Sequence, residues 1–155
     1  MSKTNAARLL DKLGIVYELV EYKVDEEDLS ASNVAAKLGQ NVDQVFKTLV
    51  LRGDKTGIFV CVLPGAAELD MKLAAKISGN KDAAMVHVKD IFGLTGYIRG
   101  GCSPLGMKKK YPIFIHESCL GLAFVFVSAG IRGLQLKLAP KDLIQSAEAK
   151  VCALF

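Results

Sequence analysis

Gln44-Val45-Phe46-Lys47-Thr48-Leu49-Val50-Leu51-Arg52, then Gly53-Asp54-Lys55-Thr56-Gly57, then Ile58-Phe59-Val60-Cys61-Val62-Leu63 form the stretch that decides the fold. Two runs of apolar and β-branched residues flank five loop residues with glycine at both ends, which is the signature of a β-hairpin. Toward the N-terminus, Ala6, Leu9, Leu10 and Leu13 share a helical face that ends at Gly14, predicting a helix over 4–13. Residues 16–22 read as a strand near an edge, and Ser30 or Ser32 caps a short helix that stops at Gly39. Toward the C-terminus, Asp70 opens a helix that closes at Gly79, and residues 83–88 resume a strand. A short turn from Asp90 leads into a glycine-rich loop. Ile113-Phe114-Ile115, Ala123-Phe124-Val125-Phe126-Val127 and Leu134-Gln135-Leu136-Lys137-Leu138 are further strands, and Pro140 at a first-turn position opens a final helix. The count is about seven strands and four helices in one α/β mixed (α+β) domain over 1–155. Strands often follow strands directly, so a mixed or antiparallel, barrel-like sheet fits better than a doubly wound parallel one.

Length and composition set the class. In 155 residues, 51% hydrophobic and 23% charged, there is enough apolar side chain for a packed core, and this excludes a disordered tail. No run of about 18 apolar residues is present to cross a bilayer. The leading residues Met1-Ser2-Lys3-Thr4-Asn5 carry no signal-like apolar block, so a cytoplasmic protein is expected. A net charge of +4 tilts only mildly toward an anionic partner. Cys61, Cys102, Cys119 and Cys152 lie 41, 17 and 33 positions apart, with no C-x-x-C pair, so neither a zinc site nor a dithiol motif is expected. Cys61 reads as a small buried hydrophobe, and His87 and His116 as ordinary sheet residues.

Three places carry candidate chemistry. Lys47 stands in an apolar run on the face of Val45, Leu49 and Leu51; its ammonium either snorkels to water or opens into a cleft toward a phosphate or carbonyl oxygen. Residues 93–106 hold five glycines around Cys102-Ser103-Pro104, so their backbone turns through positive φ or approaches something closely. Cys102 in this stretch has no histidine nearby in sequence to activate it. Ser128-Ala129-Gly130-Ile131-Arg132-Gly133 ends a strand in small residues, either as a plain hairpin turn or as a wall of the same cleft. Lys108-Lys109-Lys110-Tyr111 is a basic patch beside an aromatic ring, either a solvated turn or a contact for a nucleic-acid backbone. No Ser-His-Asp set, Cys-His pair, metal cluster or carboxylate pair stands out.

Lys37-Leu38-Gly39, Asp43-Gln44-Val45-Phe46-Lys47-Thr48-Leu49, Leu69-Asp70-Met71-Lys72, Thr95-Gly96-Tyr97, Gly100-Gly101-Cys102-Ser103-Pro104-Leu105-Gly106 and Ser128-Ala129-Gly130-Ile131-Arg132-Gly133-Leu134 together resemble the YbaK/EbsC-type aminoacyl-tRNA editing domains. These domains also occur as an insertion in bacterial prolyl-tRNA synthetases. The resemblance spans nearly the whole chain and implies a curled, barrel-like sheet and deacylation of mischarged tRNA, with Cys-tRNA(Pro) the usual substrate of the free-standing branch. It implies catalytic positions at Lys47 and Gly101, and substrate contacts at Tyr22, Thr48, Gly100, Ser103, Pro104, Ser128 and Gly130. The cysteine-editing branch carries an aromatic where this chain has Ser30 and an acidic residue where it has Gln135, two departures that bear on the choice of amino acid. Substrate-assisted chemistry is implied, through the cysteinyl thiol or the terminal ribose hydroxyl. The implied partners are a tRNA 3′ end, with Lys108, Lys109 and Lys110 as RNA contacts, and prolyl-tRNA synthetase; no cofactor, metal, membrane or DNA is expected. A non-catalytic tRNA- or synthetase-binding module is the alternative.

Overall fold

The computed structural model describes residues 3–155, so Met1 and Ser2 of the leading segment lie outside the described residues. The chain runs α1 (Asn5–Lys12), β1 (Glu18–Glu21), α2 (Ala31–Leu38), β2 (Phe46–Gly53), β3 (Gly57–Pro64), α3 (Met71–Ile77), β4 (Ala83–Met85), α4 (Val88–Thr95), β5 (Ile113–His116), β6 (Val125–Ser128), β7 (Leu134–Leu138), α5 (Pro140–Ala147) and β8 (Lys150–Cys152). Local chemistry sets the helix ends. The Ser30 hydroxyl accepts from the Asn33 N–H and the Asp70 carboxylate from the Leu73 N–H, satisfying first-turn donors that have no partner in the helix. Pro140 occupies the first helical turn of α5, where its missing N–H costs nothing.

Strands β2 and β3 form the expected hairpin, in register from Phe46 opposite Pro64 to Gly53 opposite Gly57. Five strands lie in the order β4-β2-β3-β5-β8 and three in the order β1-β7-β6. Phe46, Val60, Val62, Ile113 and Ile115 of the larger sheet meet Val125, Val127, Leu134, Leu136 and Leu138 of the smaller one in a shared core. The far face of the larger sheet buries Leu51, Phe59, Cys61 and Leu63 under Ala74 of α3. Helix α2 covers the back of the smaller sheet with Val34 and Ala35 against Phe126.

The expected seven-stranded barrel is corrected by this topology. Eight strands and five α-helices occur among the described residues, and the strands make two open sheets, not one closed ladder. A single isolated bridge, Val45 to Phe126, links them, and the chain crosses from β5 to β6 through a 3₁₀ turn at Glu117–Gly121. Closure would need every edge paired, and β1, β4, β6 and β8 each keep a free one. The unforeseen helix is α4, which absorbs Gly93; a mid-helix glycine costs about 1 kcal/mol, and that penalty masks the pattern in sequence. The unforeseen strand, β8, is three residues long and adds in parallel to β5.

One consequence of this topology positions the site. Strand β4 pairs with β2 only at residues 51–53, and the Val86 N–H reaches the Val50 carbonyl at 3.1 Å. At the other end Val45 bridges to β6, so residues 46–49 have no strand beside them on that edge. Backbone groups alternate between the two edges of a strand. Val50 faces β4, so Thr48, two residues back, turns its N–H and C=O to the open edge.

The hairpin turn is held from outside by Asn80, which is nearly fully buried. Its Oδ1 accepts from the Lys55 and Thr56 N–H groups at 2.9 and 2.8 Å, and its Nδ2 donates to Thr56 Oγ1 and Ser78 Oγ at 2.8 Å each. Asn80→Ala is expected to destabilise the protein by about 2–3 kcal/mol, because it strips partners from two turn donors. Equilibrium denaturation in urea checks this, and a change inside about 0.5 kcal/mol would show that water replaces the amide.

Candidate functional site

The open edge of β2 forms one wall of a cavity of about 390 Å³. Residues 45–50 line it, joined by Leu29, Ser30, Ala31 and Val34 from α2 and its approach, and by Met85, Val86, Val88 and Ile91 from β4 and α4. Arg99, Gly100 and Cys102 close a third side, and Ser128 and Gln135 come from the smaller sheet. The size fits a small-molecule site, and the lining is mostly apolar with a few convergent polar groups. No carboxylate is among these residues; the charged ones are Lys47 and Arg99.

Lys47 takes the cleft position. Its Nζ donates to the Ala67 carbonyl at 2.5 Å, and burial pushes its pKa below the usual lysine value, an effect the nearby Glu68 carboxylate partly offsets. Thr48 and Gln135 are unusual in another way. Thr48 Oγ1 and Gln135 Oε1 are buried oxygens without a hydrogen-bond partner among the described residues, and both residues line this one cavity. Strand alternation places Gln135 on the face opposite Leu134, Leu136 and Leu138, where solvent would be expected. It is only 5% exposed, flanked by Val20 and Ser128 on the neighbouring strands.

Of the residues the sequence points to, Lys47, Ser30, Thr48, Gly100, Ser128 and Gln135 line the cavity. Gly101 does not: its N–H is donated to the Ile98 carbonyl at 3.0 Å, and a Cβ there would stand 3.1 Å from the Ile131–Arg132 backbone. It packs the glycine-rich stretch against residues 128–133, which leaves Gly100 at the cavity. Ser103 is fully buried with its hydroxyl accepting from the Leu105 N–H, Pro104 lines a second, smaller cavity, and Gly130 sits against the Tyr97 ring. Tyr22 packs in the cluster beneath α2. Lys109 and Lys110 border the second cavity; Lys110 pairs with Glu148, and Lys108 reaches the Gly93 carbonyl at 3.4 Å. Arg132 ties the acidic segment at residues 25–28 to the glycine-rich stretch, bonding Glu26 at 2.7 Å and the Arg99 carbonyl at 2.8 Å.

Sequence reasoning missed the contributions of β4 and α4. In sequence Met85, Val88 and Ile91 are indistinguishable from ordinary apolar residues, and Arg99 carries no signal beyond its glycine neighbours. The cavity thiol, Cys102, is pushed up to about 11 by burial, so it is a neutral group at physiological pH. Neither histidine reaches the cavity lining. His116 stacks on Phe155 with ring centroids 3.9 Å apart, and His87 stands at the start of α4.

The family model of the aminoacyl-tRNA editing domain matches residues 25–146. The chain belongs to this family. A protein of Enterococcus faecalis (strain ATCC 700802 / V583), described as a candidate Cys-tRNA(Pro)/Cys-tRNA(Cys) deacylase, EbsC, is 48% identical over 142 residues, 92% of this chain and 87% of that one. The uncharacterized protein YwhH of Bacillus subtilis (strain 168) is 28% identical over 134 residues, 84% of this chain and 85% of that one. A crystal structure of a candidate trans-editing enzyme for prolyl tRNA synthetase superposes with a TM-score of 0.84 at 26% identity, covering 99% of this chain and 98% of that chain. The matched span of the editing domain begins just after β1 and ends within α5, so it contains every residue that lines the cavity. No helix among the described residues is long and apolar enough to cross a membrane.

The depressed pKa of Lys47 has a consequence for stability. A lysine whose folded-state pKa lies below its ordinary value of 10.5 binds its proton more tightly when unfolded. Below the folded-state value the full cost of keeping the ammonium in the cavity is present. Between the two values unfolding takes up a proton, so stability rises with pH. The native protein is therefore expected to gain melting temperature relative to Lys47→Met as pH is raised toward 10.5. A difference that does not change with pH would show that the ammonium is fully hydrated.

Proposed function

We propose that this editing domain is a trans-acting deacylase that removes the amino acid from mischarged tRNA, with Cys-tRNA(Pro) as its principal substrate. The observation that carries this reading is the cavity itself: a lysine and an arginine in a carboxylate-free apolar pocket, with no activated nucleophile among its lining residues. An aminoacyl ester is already labile, so a site of this kind works by placement and by stabilising charge on the acyl oxygen. Lys47, held by the Ala67 carbonyl, directs its ammonium at the 3′ end of the tRNA, where the acyl carbonyl and terminal phosphate offer oxygens.

Gly101 acts through its packing, fixing Gly100 and the Cys102 backbone at the cavity. The nucleophile is the cysteinyl thiol, which attacks its own carbonyl to form a cyclic thioester, or water assisted by the terminal ribose hydroxyl; in either case the ester C–O bond breaks and the ribose oxygen of the tRNA leaves with a proton. Ser30, Thr48, Gly100, Ser128 and Gln135 contact the aminoacyl end. Tyr22, Ser103, Pro104 and Gly130 support the walls one layer behind them. Lys108, Lys109 and Lys110 contact the acceptor strand, and prolyl-tRNA synthetase is the companion that delivers the tRNA. The names of the relatives in Enterococcus faecalis and in the solved structure support this choice of substrate and partner.

The test is release of labelled amino acid from Cys-tRNA(Pro), Ala-tRNA(Pro) and Ser-tRNA(Pro) by the purified protein. Release is expected to be fastest from the cysteinyl substrate and lost in a folded Lys47→Ala variant. A folded variant that keeps its activity would remove Lys47 from the mechanism, and intact substrates throughout would favour the binding-module alternative. In the same preparation, Lys109→Ala is expected to weaken tRNA binding and to flatten the plot of log affinity against log salt by about 1. An unchanged slope would place the RNA backbone elsewhere.

A further inference from the structure

Arg132 stands at the rim of the cavity, against residues that line it. Its Nε donates to the Arg99 carbonyl at 2.8 Å and lies 3.2 Å from where a Gly100 Cβ would stand, a point that Leu29 Cδ1 approaches to 3.1 Å. Arg99, Gly100 and Leu29 all belong to the cavity wall. The rest of the guanidinium faces the acidic segment, where Nη1 donates to Glu26 Oε2 at 2.7 Å. These two contacts differ in kind. The Arg99 carbonyl is a backbone group fixed by the chain around it, whereas the Glu26 side chain is 72% exposed. Asp25 and Asp28 of the same segment turn inward, accepting from the Glu27 and Ser30 N–H groups at 3.0 Å each, so the segment keeps its own turns without Glu26. An ion pair open to water is worth little, so Glu26 is exchanged at small cost while Nε holds the guanidinium in place.

We infer that Arg132 binds the phosphodiester next to the aminoacyl ester, and that Glu26 occupies its place in the free protein as an internal competitor. The inference rests on the proposed aminoacyl-tRNA substrate and adds to it a phosphate contact under internal control. The ribose that carries the ester also carries a phosphodiester on its 5′ oxygen, so an ester held in the cavity brings an anion to the rim. A planar guanidinium matches phosphate oxygens as it matches a carboxylate, through charge-assisted hydrogen bonds. The exchange therefore replaces one ion pair by another of the same geometry. Four carboxylates in succession, at residues 25–28, are otherwise a poor neighbour for a polyanion. With Glu26 on Arg132, an aminoacyl ester that brings no phosphate to the rim leaves the ion pair closed, and a tRNA end opens it.

Binding of uncharged tRNA(Pro) at one fixed salt concentration tests this, with the full-length tRNA and with tRNA lacking its 3′-terminal nucleotide. The proteins are the native chain, Glu26→Gln, Glu27→Gln, Arg132→Lys and the Glu26→Gln/Arg132→Lys double variant, each with its melting temperature. Glu26→Gln is expected to bind the full-length tRNA about three-fold more tightly at an unchanged melting temperature. Glu27→Gln removes the same charge one position away and is expected to bind as the native protein does. Arg132→Lys keeps the charge but loses the planar fork, so it weakens binding and cancels the gain in the double variant. On the shortened tRNA the gain of Glu26→Gln disappears with the phosphate. An equal gain in Glu26→Gln and Glu27→Gln reduces the effect to general charge and overturns the inference. So does a gain that persists in the double variant or on the shortened tRNA, which places the phosphate elsewhere. Weaker binding and a lower melting temperature in Glu26→Gln overturn it too, making the ion pair a brace. A native protein that follows the expected pattern yet releases no amino acid from Cys-tRNA(Pro) overturns the deacylase reading alone.

Discussion

Strand β2 is hydrogen-bonded along the whole of one edge and only part of the other, and the site depends on that asymmetry. Pairing with β3 holds residues 46–53 rigidly. Pairing with β4 begins only at residue 51, which leaves a stretch of straight, fixed backbone open to a cavity. An exposed strand edge is ordinarily a liability, because its unpaired N–H and C=O groups invite another chain. Here α2, α4 and the glycine-rich stretch stand around the edge and restrict access to something narrow. The same strand carries Lys47 and Thr48 in neighbouring positions, so one rigid element aims a cation and a hydroxyl with little conformational freedom.

The two open sheets explain why such an edge survives. A closed barrel would satisfy every strand and would fill the space that the cavity occupies. With a single bridge from Val45 to Phe126, the sheets share a core on one side of β2 and diverge on the other. The divergence is lined from α2 by Leu29, Ser30, Ala31 and Val34, which are set in place by the Ser30 cap and the packing of Val34 and Ala35 on Phe126. Arg132 braces the far wall by joining Glu26 to the Arg99 carbonyl, and it is held by a contact with the acidic segment that local sequence does not disclose.

What the sequence made legible was local. Ser30, Gly39, Asp70 and Pro140 mark helix ends through cap and turn chemistry that needs no tertiary context, and the glycines at 53 and 57 bound the hairpin. Lys47 was visible because a charge in an apolar strand demands a reason. The barrel failed because whether two runs of strands share a ladder is a non-local matter, decided by a crossover and by one bridge. Gln135 alternates with the leucines of β7, but alternation alone says nothing about what lies over the other face, where Gln135 shares the cavity with Ala31 and Val34 of α2. Gly101 shows the reverse. It stands in a dense glycine motif and packs on the Ile131–Arg132 backbone, a non-local contact, while its neighbour Gly100 reaches the cavity.

The charge pattern of the cavity bears on how little the protein needs to supply. A half-buried ammonium without a carboxylate in hydrogen-bond contact carries a desolvation cost, and the pKa of Lys47 falls accordingly. The Ala67 carbonyl holds the ammonium in position, and the Glu68 carboxylate offsets only part of the burial cost. The field of the ammonium therefore remains available to an incoming anion or a developing oxyanion, and it strengthens as a ligand displaces water from the apolar walls. Cys102 remains a neutral thiol under the same burial, so it does not compete for the cation as a thiolate would. On the proposed reading, the site lowers the barrier by holding a reactive ester beside an uncommitted positive charge, and the substrate's own nucleophile completes the reaction.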